Sequence, residues 1–184
     1  YRSRTSESAA PRRGYPQDHG GEMTIELTVN GLSRRIQVRS GDRLVDALRK
    51  HCSLDSLQPD CLAGRCGRCF VFIDGRLVQS CLMPAFKAKG STILSWEALA
   101  SNPDIQTIAS TFEASPSKPC AFCLKAKVLA VYDLVSRNPT PDREEILEQL
   151  SMVDCACSDR LGLAEAVESA ATRIAQRKYG RADK

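Results

Sequence analysis

The residues of this sequence that could do chemistry are its cysteines, which fall in two tight groups rather than being spread along the chain. Nine cysteines occur among 184 residues. An odd number leaves one thiol over in any framework that is paired entirely as disulfides. Clustering of this kind favours metal ligation over a disulfide framework. The sequence therefore predicts two metal sites.

The first group consists of Cys61, Cys66, Cys69 and Cys81, in the pattern C-x4-C-x2-C-x11-C. This spacing is typical of plant-type [2Fe–2S] ligation. Glycines inside the loop let its backbone curl tightly and aim N–H groups at the cluster sulfurs. Zinc is the alternative, but zinc sites commonly use two C-x2–4-C pairs, which a triplet with one distant partner fits poorly. The pattern therefore favours a [2Fe–2S] cluster.

The second group consists of Cys120, Cys123, Cys155 and Cys157, in the pattern C-x2-C-x31-C-x-C. The first pair lies at the start of one predicted helix, and the second pair precedes another. Helix N-termini present free N–H groups and a positive dipole end, which favour thiolates and an anionic cluster. Taken by itself this spacing also suits zinc, so both metals stay open for the second group.

The other polar side chains near these groups indicate no autonomous active site. Cys52 lies on the apolar face of a predicted helix, which favours a buried structural thiol over a ligand. Arg65 and Arg68, inside the first cysteine loop, would either be solvated, offset the charge of a cluster or meet a redox partner. Asp60 and Glu97 lack the paired carboxylate or the nucleophile–base company that catalysis needs. We therefore assign no catalytic residue.

An α+β unit is predicted to carry the first group. Alternating apolar residues flank Asn30-Gly31, which predicts a hairpin, and a helix capped by Asp42 follows. A second hairpin is predicted to turn at Asp74-Gly75. A last strand over about residues 92–94 completes a small mixed sheet, so residues 23–98 are predicted to form one domain.

Helical periodicity replaces the strand pattern in the rest of the chain. Four short helices are predicted within residues 104–178, and they suggest a compact bundle. Thr140 is predicted to cap one of them, with Pro141 at its first helical position. The second cysteine group would then lie between two helix starts at one end of the bundle.

Composition and charge argue against several classes of protein. No apolar run approaches the roughly 20 residues that span a bilayer, so no membrane contact is predicted. The net charge is +4, but the basic residues have no interleaved aromatic residues, which argues against nucleic-acid binding. The basic C-terminal residues, Arg177 and Lys178 among them, are expected to be solvated. Residues 1–22 are polar and lack a secretory signal, which predicts a disordered leader and a cytoplasmic location.

Together these motifs resemble the iron–sulfur (small) subunit of the molybdenum hydroxylases, the family of xanthine dehydrogenase, aldehyde oxidase and carbon monoxide dehydrogenase. The resemblance rests on residues 60–69, Ser80-Cys81-Leu82, Cys120-x2-Cys123 and Cys155-x-Cys157, and it covers about residues 23–175. It implies a ferredoxin-like β-grasp domain with one [2Fe–2S] cluster, followed by a four-helix-bundle domain with another. The implied partners are a molybdopterin-binding large subunit, which would hold the substrate site, and an FAD-binding medium subunit. Electrons would pass from the molybdopterin centre through the helical-domain cluster and the β-grasp cluster to FAD.

The sequence departs from the family pattern around the second group, toward the molybdenum cofactor. Pro119 and Ala121 stand where the family usually has glutamine and glycine, and Ala156 stands where it usually has arginine. Proline supplies neither a side-chain amide nor a backbone N–H. All eight ligand cysteines are retained, so two clusters are expected. A free-standing two-cluster redox carrier or sensor is the alternative function.

Overall fold

The computed structural model of this chain describes residues 21–180, which form a five-stranded sheet followed by a set of helices. The strands are Met23–Val29 (β1), Leu32–Val38 (β2), Phe70–Ile73 (β3), Arg76–Gln79 (β4) and Thr92–Leu94 (β5). The helices are Leu44–Cys52 (α1), Trp96–Leu99 (α2), Pro103–Ala114 (α3), Ala121–Arg137 (α4), Arg143–Ser151 (α5) and Arg160–Tyr179 (α6). Short 3₁₀ turns cover Ser80–Leu82 and Ala85–Ala88. The predicted leader, apart from residues 21 and 22, lies outside the described residues.

The sheet is mixed and has the strand order β2-β1-β5-β3-β4. The hairpins β1–β2 and β3–β4 are joined through β5, which runs parallel to β1 and antiparallel to β3. Both hairpins turn where the sequence predicts, at Asn30-Gly31 and Asp74-Gly75. All four turn residues have positive φ, as a type I′ turn requires. Helix α1 covers one face of the sheet and buries Leu44 and Leu48 in the core between them.

Strand β3 contributes to two hydrophobic cores because its side chains alternate between the two faces of the sheet. Val71 and Ile73 belong to the core shared with α1, whereas Phe70 and Phe72 belong to the core of the helices. The ring of Phe72 meets that of Tyr132 on α4 edge to face, with the ring centroids 5.8 Å apart. The sheet and the helices therefore pack directly on each other through the strand that follows the first cysteine loop.

Four helices surround the second core, since α3 and α5 each pack against both α4 and α6. One fully buried residue from each of these helices, in chain order, is Ile105, Val131, Leu150 and Val167. The α+β prediction is confirmed as a mixed sheet followed by helices, while the boundaries 23–98 and 104–178 stay predictions. Between residues 21 and 180, no helix has the length and apolar character to cross a membrane. The cytoplasmic location stays a prediction.

Two of the predicted helix caps are wrong. The carboxylate of Asp42 accepts a hydrogen bond from the backbone N–H of Arg39 at 2.8 Å, and α1 begins without a side-chain cap. Thr140 does not cap α5, which begins after Asp142. Asp142 and Glu145 form a reciprocal capping box, so this pair satisfies two free backbone N–H groups where Thr140 would satisfy one.

The basic residues near the end of α6 are exposed, as predicted, and two of them also form ion pairs. Arg177 and Lys178 both form ion pairs with Asp104, a buried residue at the start of α3. The ammonium nitrogen of Lys178 lies 2.7 Å from the Oδ2 atom of Asp104. A buried carboxylate needs such partners, because an unpaired charge in the interior is costly. The pairs therefore tie the end of the last helix to the start of the first helix of the bundle.

Glu97, in α2, links Ser56, which shortly precedes the first cysteine loop, to Ser95, which precedes α2. Its carboxylate accepts hydrogen bonds from the backbone N–H and the hydroxyl of Ser56, each at 2.9 Å, and from the hydroxyl of Ser95. Burial alone would raise the pKa of Glu97, but these hydrogen bonds favour the charged form and lower it. The contacts assign Glu97 a structural role.

The stabilising contribution of Glu97 is expected to disappear in acid. Because its folded-state pKa is lowered, the carboxylate contributes fully above the ordinary glutamate value of about 4.3, and the contribution is lost as the pH falls through the folded-state value. Thermal unfolding midpoints of the wild type and Glu97→Gln should therefore differ at neutral pH and converge below about pH 4. Glu113→Gln, at an exposed position on α3, is the matched control. A difference that does not vary with pH would contradict this expectation.

Candidate metal centres

The first cysteine group lies in the loop between α1 and β3, with its last member just after β4. Three backbone N–H groups point at the sulfur of Cys61, namely those of Ala63 at 3.4 Å, Arg65 at 3.2 Å and Cys66 at 3.2 Å. The loop buries Cys66 and leaves Cys61 half-buried. Amides that converge on one sulfur stabilise negative charge there, which suits a thiolate or a sulfur that binds a metal.

The strongest interactions among the sulfurs of this group join Cys66 to Cys61 and Cys69 to Cys81, and Cys69 also interacts with Cys66. Burial alone would raise the pKa of Cys66, but hydrogen bonds from the loop backbone and from the Cys61 side chain lower it to about 6. The pKa of Cys69 rises to about 12, first because the thiol is buried and also because it shares a hydrogen bond with the Cys81 side chain. Two pairs of thiols suit a centre with two metal atoms, each held by one pair.

Arg68 interacts with cysteines of both groups. Its guanidinium lies 2.6 Å from the carboxylate of Asp60, and its side chain is 22% exposed. Burial alone would lower the pKa of Arg68, but the Cys66 side chain and the charges of Asp60 and Cys123 raise it. Arg65, by contrast, is exposed. The structure thus gives Arg68 the charge-offsetting position and leaves Arg65 solvated.

The second group lies where α4 and α6 begin. Cys120 precedes α4, Cys123 lies in its first turn, and Cys155 and Cys157 lie in the loop before α6. The sulfurs of Cys120, Cys123 and Cys155 all lie within 4.8 Å of one another, the only such set of three candidate ligand atoms among residues 21–180. Cys157 is exposed and outside this set, although its thiol interacts with Cys120 and Cys155. The structure therefore gathers three of the four predicted ligands and leaves the fourth at the surface.

Burial and mutual contact set the acidity of these thiols. The pKa of Cys123 is raised to about 12, first by burial and then by hydrogen bonds shared with the Cys155 and Cys120 side chains. Burial would also raise the pKa of Cys155, but the neighbouring Ser158 hydroxyl and the backbone of Cys157 favour its thiolate and lower the pKa to about 6. The contact with the Cys120 side chain raises the pKa of Cys157. Thiols this close share protons, which they release when a metal binds.

The cysteines of both sites could hold an iron–sulfur cluster, and those of the first site suit a cluster better than a single zinc ion. A single zinc ion binds four sulfurs, each about 2.3 Å from the metal, so the sulfurs must lie close together. No three sulfurs of the first group converge as closely as those of the second, within the described part of the chain. Arg68 Nε beside the first group is buried and finds no hydrogen-bond partner among the described residues, so it is free to donate to a cluster sulfur. The close sulfurs of Cys120, Cys123 and Cys155 suit either an iron–sulfur cluster or a zinc ion on geometry alone.

The two cysteine loops touch each other at Gly67. This residue has φ +69°, and a Cβ atom there would overlap the carbonyl oxygen of Met152 and lie 2.9 Å from the Cα atom of Val153. Only glycine suits such a position, because both the backbone conformation and the backbone neighbours exclude a side chain. Since Met152 and Val153 shortly precede Cys155, the loop of the first group packs against the loop of the second.

A residue that sequence reasoning missed is Lys127, one turn along α4 from Cys123. Its side chain is 1% exposed, and its ammonium donates hydrogen bonds to the carbonyls of Leu150 at 3.1 Å and Val153 at 3.0 Å. Burial lowers the pKa of Lys127, and the charges of Cys155 and Cys123 act in the opposite direction. The available signal was its spacing of four residues from a predicted ligand, which places it on the same buried helix face.

Comparison with known proteins identifies the family. No protein-family model matches the chain. The chain is 32% identical over 154 residues to the nicotinate dehydrogenase small FeS subunit of Eubacterium barkeri, and the match covers 84% of this chain and 98% of the relative. This chain belongs to the small iron–sulfur subunits of the molybdenum hydroxylases. The nicotine 6-hydroxylase small subunit of Paenarthrobacter nicotinovorans is also 32% identical, over 152 residues that cover 83% of this chain and 92% of that one.

Solved structures place this iron–sulfur subunit in the same family. The structure of quinoline 2-oxidoreductase from Pseudomonas putida 86 matches with a TM-score of 0.74 at 30% identity, covering 86% of this chain and 98% of that one. The aldehyde oxidoreductase of Desulfovibrio gigas matches with a TM-score of 0.73 at 26% identity, covering 85% of this chain and 18% of that chain. The predicted family is confirmed, since the two relatives named above are small subunits and the aldehyde oxidoreductase carries the matching region as 18% of a longer chain.

Proposed function

We propose that this subunit relays single electrons from a molybdopterin-binding large subunit to an FAD-binding medium subunit, in a molybdenum hydroxylase of xanthine dehydrogenase type. The observation that carries the proposal is the packing of the two cysteine loops at Gly67, which would keep two redox centres adjacent. One [2Fe–2S] cluster would be held by Cys61, Cys66, Cys69 and Cys81, and the other by Cys120, Cys123, Cys155 and Cys157. When bound, each cluster would take up and pass on one electron at a time.

The residues around both sites support this assignment because they stabilise negative charge on the cysteine sulfurs. The backbone amides around Cys61 stabilise negative charge on its sulfur, and Arg68 offers a positive charge to both sites. The mixed sheet with α1 is consistent with a β-grasp domain, and the four packed helices are consistent with a four-helix bundle. We therefore assign the first site to the β-grasp domain and the second to the bundle.

Exposed apolar side chains lie beside both sites. Leu82, next to Cys81, is 62% exposed, and Phe122, between Cys120 and Cys123, is 63% exposed. Apolar groups of this size beside ligand residues favour surfaces that a partner covers. We infer that the FAD-binding subunit covers Leu82 and that the molybdopterin-binding subunit covers Phe122.

Two of the three departures from the family pattern lie at the same surface as Phe122. Ala121 and Ala156 are exposed around the second site, whereas Pro119 is buried. Small side chains there leave Phe122 as the largest apolar group at the start of α4. We therefore expect the contact with the molybdopterin-binding subunit to be more apolar than one made through an amide and a guanidinium.

Native copurification of the tagged full chain tests this proposal. The wild type is expected to carry molybdenum and flavin together with two larger chains. Leu82→Ser is expected to lose flavin and Phe122→Ser to lose molybdenum, each by about tenfold, because loss of a buried apolar anchor weakens an interface by about 1–2 kcal/mol. Leu32→Ser is the matched control, because Leu32 is 57% exposed on the edge strand β2 and should retain both.

The outcomes separate the two candidate functions. A chain that holds both clusters but copurifies with neither larger subunit would favour the free-standing redox carrier or sensor and would overturn the proposed relay. Equal losses in all three variants would mean that apolar exposure alone, rather than the two proposed docking surfaces, governs recovery of the complex.

A further inference from the structure

Lys127 carries a charge at a position that the fold buries, with the residue only 1% exposed. It lies on the buried face of α4, between Cys123 and the fully buried Val131. Both of its hydrogen bonds go to neutral carbonyls, those of Leu150 and Val153. A buried ammonium is costly unless a negative charge compensates it, so its position calls for an anionic neighbour.

The second cysteine group would be the main source of negative charge for Lys127 once a bound metal has displaced the protons of its thiols. Charges on Cys155 and Cys123 favour the charged form of Lys127, as does that of Asp154, whereas Arg160 opposes it. A cavity of about 350 Å³ is lined by Lys127, Cys155, Asp154 and Arg160, among others. Lys127 and Cys155 therefore line the same cavity, and the ammonium of Lys127 is hydrogen-bonded to the loop that carries Cys155.

We propose that Lys127 favours the reduced state of the cluster in the second site and so raises its reduction potential. The inference rests on the proposed function, because it requires a cluster held by the second group. Uptake of one electron, from the large subunit or from dithionite in a titration, adds one negative charge to the cluster and neither forms nor breaks a bond. A positive charge held in a poorly solvated interior attracts that added charge more strongly than it would in water. Nearby charge is one of the levers that set the potential of iron–sulfur clusters.

Lys127 also has a structural contribution, which the test must separate from the electrostatic one. Its hydrogen bonds satisfy carbonyls at and just after the end of α5, groups that a helix leaves without partners. Glutamine keeps N–H donors at this position and removes the charge, whereas methionine removes both. A lysine with only a structural role would therefore tolerate glutamine with no change in potential.

Redox titration of the holoprotein, followed by EPR, tests the proposal on Lys127→Gln, Lys127→Met and Lys127→Arg. In the two neutral variants the equilibrium constant for reduction of the second cluster should fall about tenfold, which for a one-electron couple is a potential lower by about 59 mV. The first cluster should change much less. Lys127→Arg keeps the charge and should keep the wild-type potential. Lys125→Gln removes the same charge from a partly exposed position on the same helix and should also leave the potential unchanged.

Every outcome decides the proposal. An unchanged potential in a loaded Lys127→Gln protein overturns it and leaves the proposed function standing. If both neutral variants lose the second cluster and Lys127→Arg keeps it, the charge serves to hold the cluster rather than to set its potential, and the proposal is overturned. If Lys127→Arg loses the cluster as well, the role is structural only and the proposal is overturned. About two irons and one zinc in the wild type would overturn the proposed function together with the inference.

Discussion

Replacement of Cys155 by alanine is expected to remove the metal centre of the second site and leave the first site loaded. Cys155 supplies one of the three sulfurs that lie within 4.8 Å of one another, and its surroundings lower the pKa of its thiol to about 6, which favours metal binding. Without it only two close ligands remain. Iron and acid-labile sulfide should each fall from about four to about two per chain, and one of two EPR signals should disappear after reduction with dithionite.

Cys52→Ala is the matched control for that loss. Cys52 is half-buried at the end of α1 and packs against the core of the sheet, and burial raises the pKa of its thiol. These features fit a structural thiol, so the variant should retain all of its iron. Loss of one zinc instead of two irons from Cys155→Ala would identify the second site as a zinc site and would end the relay proposal.

Replacement of Gly67 by alanine is expected to force the two cysteine loops apart. The added Cβ atom would overlap the carbonyl oxygen of Met152, and the residue would keep a left-handed backbone conformation. Overpacking and backbone strain together should cost about 2–5 kcal/mol of unfolding free energy. The thermal unfolding midpoint of the holoprotein, followed by circular dichroism, should then fall by roughly 4–20 °C.

Gly75→Ala separates the contact from the backbone strain. Gly75 has a similar φ of +80°, but no heavy atom lies within 4 Å of the position that its Cβ atom would take. This control should therefore lose only about 1–2 kcal/mol, the cost of the left-handed conformation. If the two variants were equally stable, the packing of the first loop against Met152 and Val153 would not exist in solution.

The sequence by itself determined the parts of this protein that depend on residues close together in the chain. Cysteine spacing predicted both candidate ligand groups, and the dipeptides Asn30-Gly31 and Asp74-Gly75 located both hairpins. Helical periodicity located α4, which begins directly after Cys120. The errors at Asp42 and Thr140 were also local, because a single polar residue can serve a turn or a helix cap equally well.

Only the tertiary structure decided the relative position of the two sites and the contacts between them. Gly67 packs against Met152 and Val153, and Arg68 acts on Cys123, across long separations in the chain. Arg65 is exposed, whereas Arg68, three residues along the same loop, is mostly buried. Lys127 is buried against the loop of the second group. The physical reason is that burial and electrostatic interaction depend on distances between residues far apart in sequence, and the spacing of residues along the chain does not encode those distances.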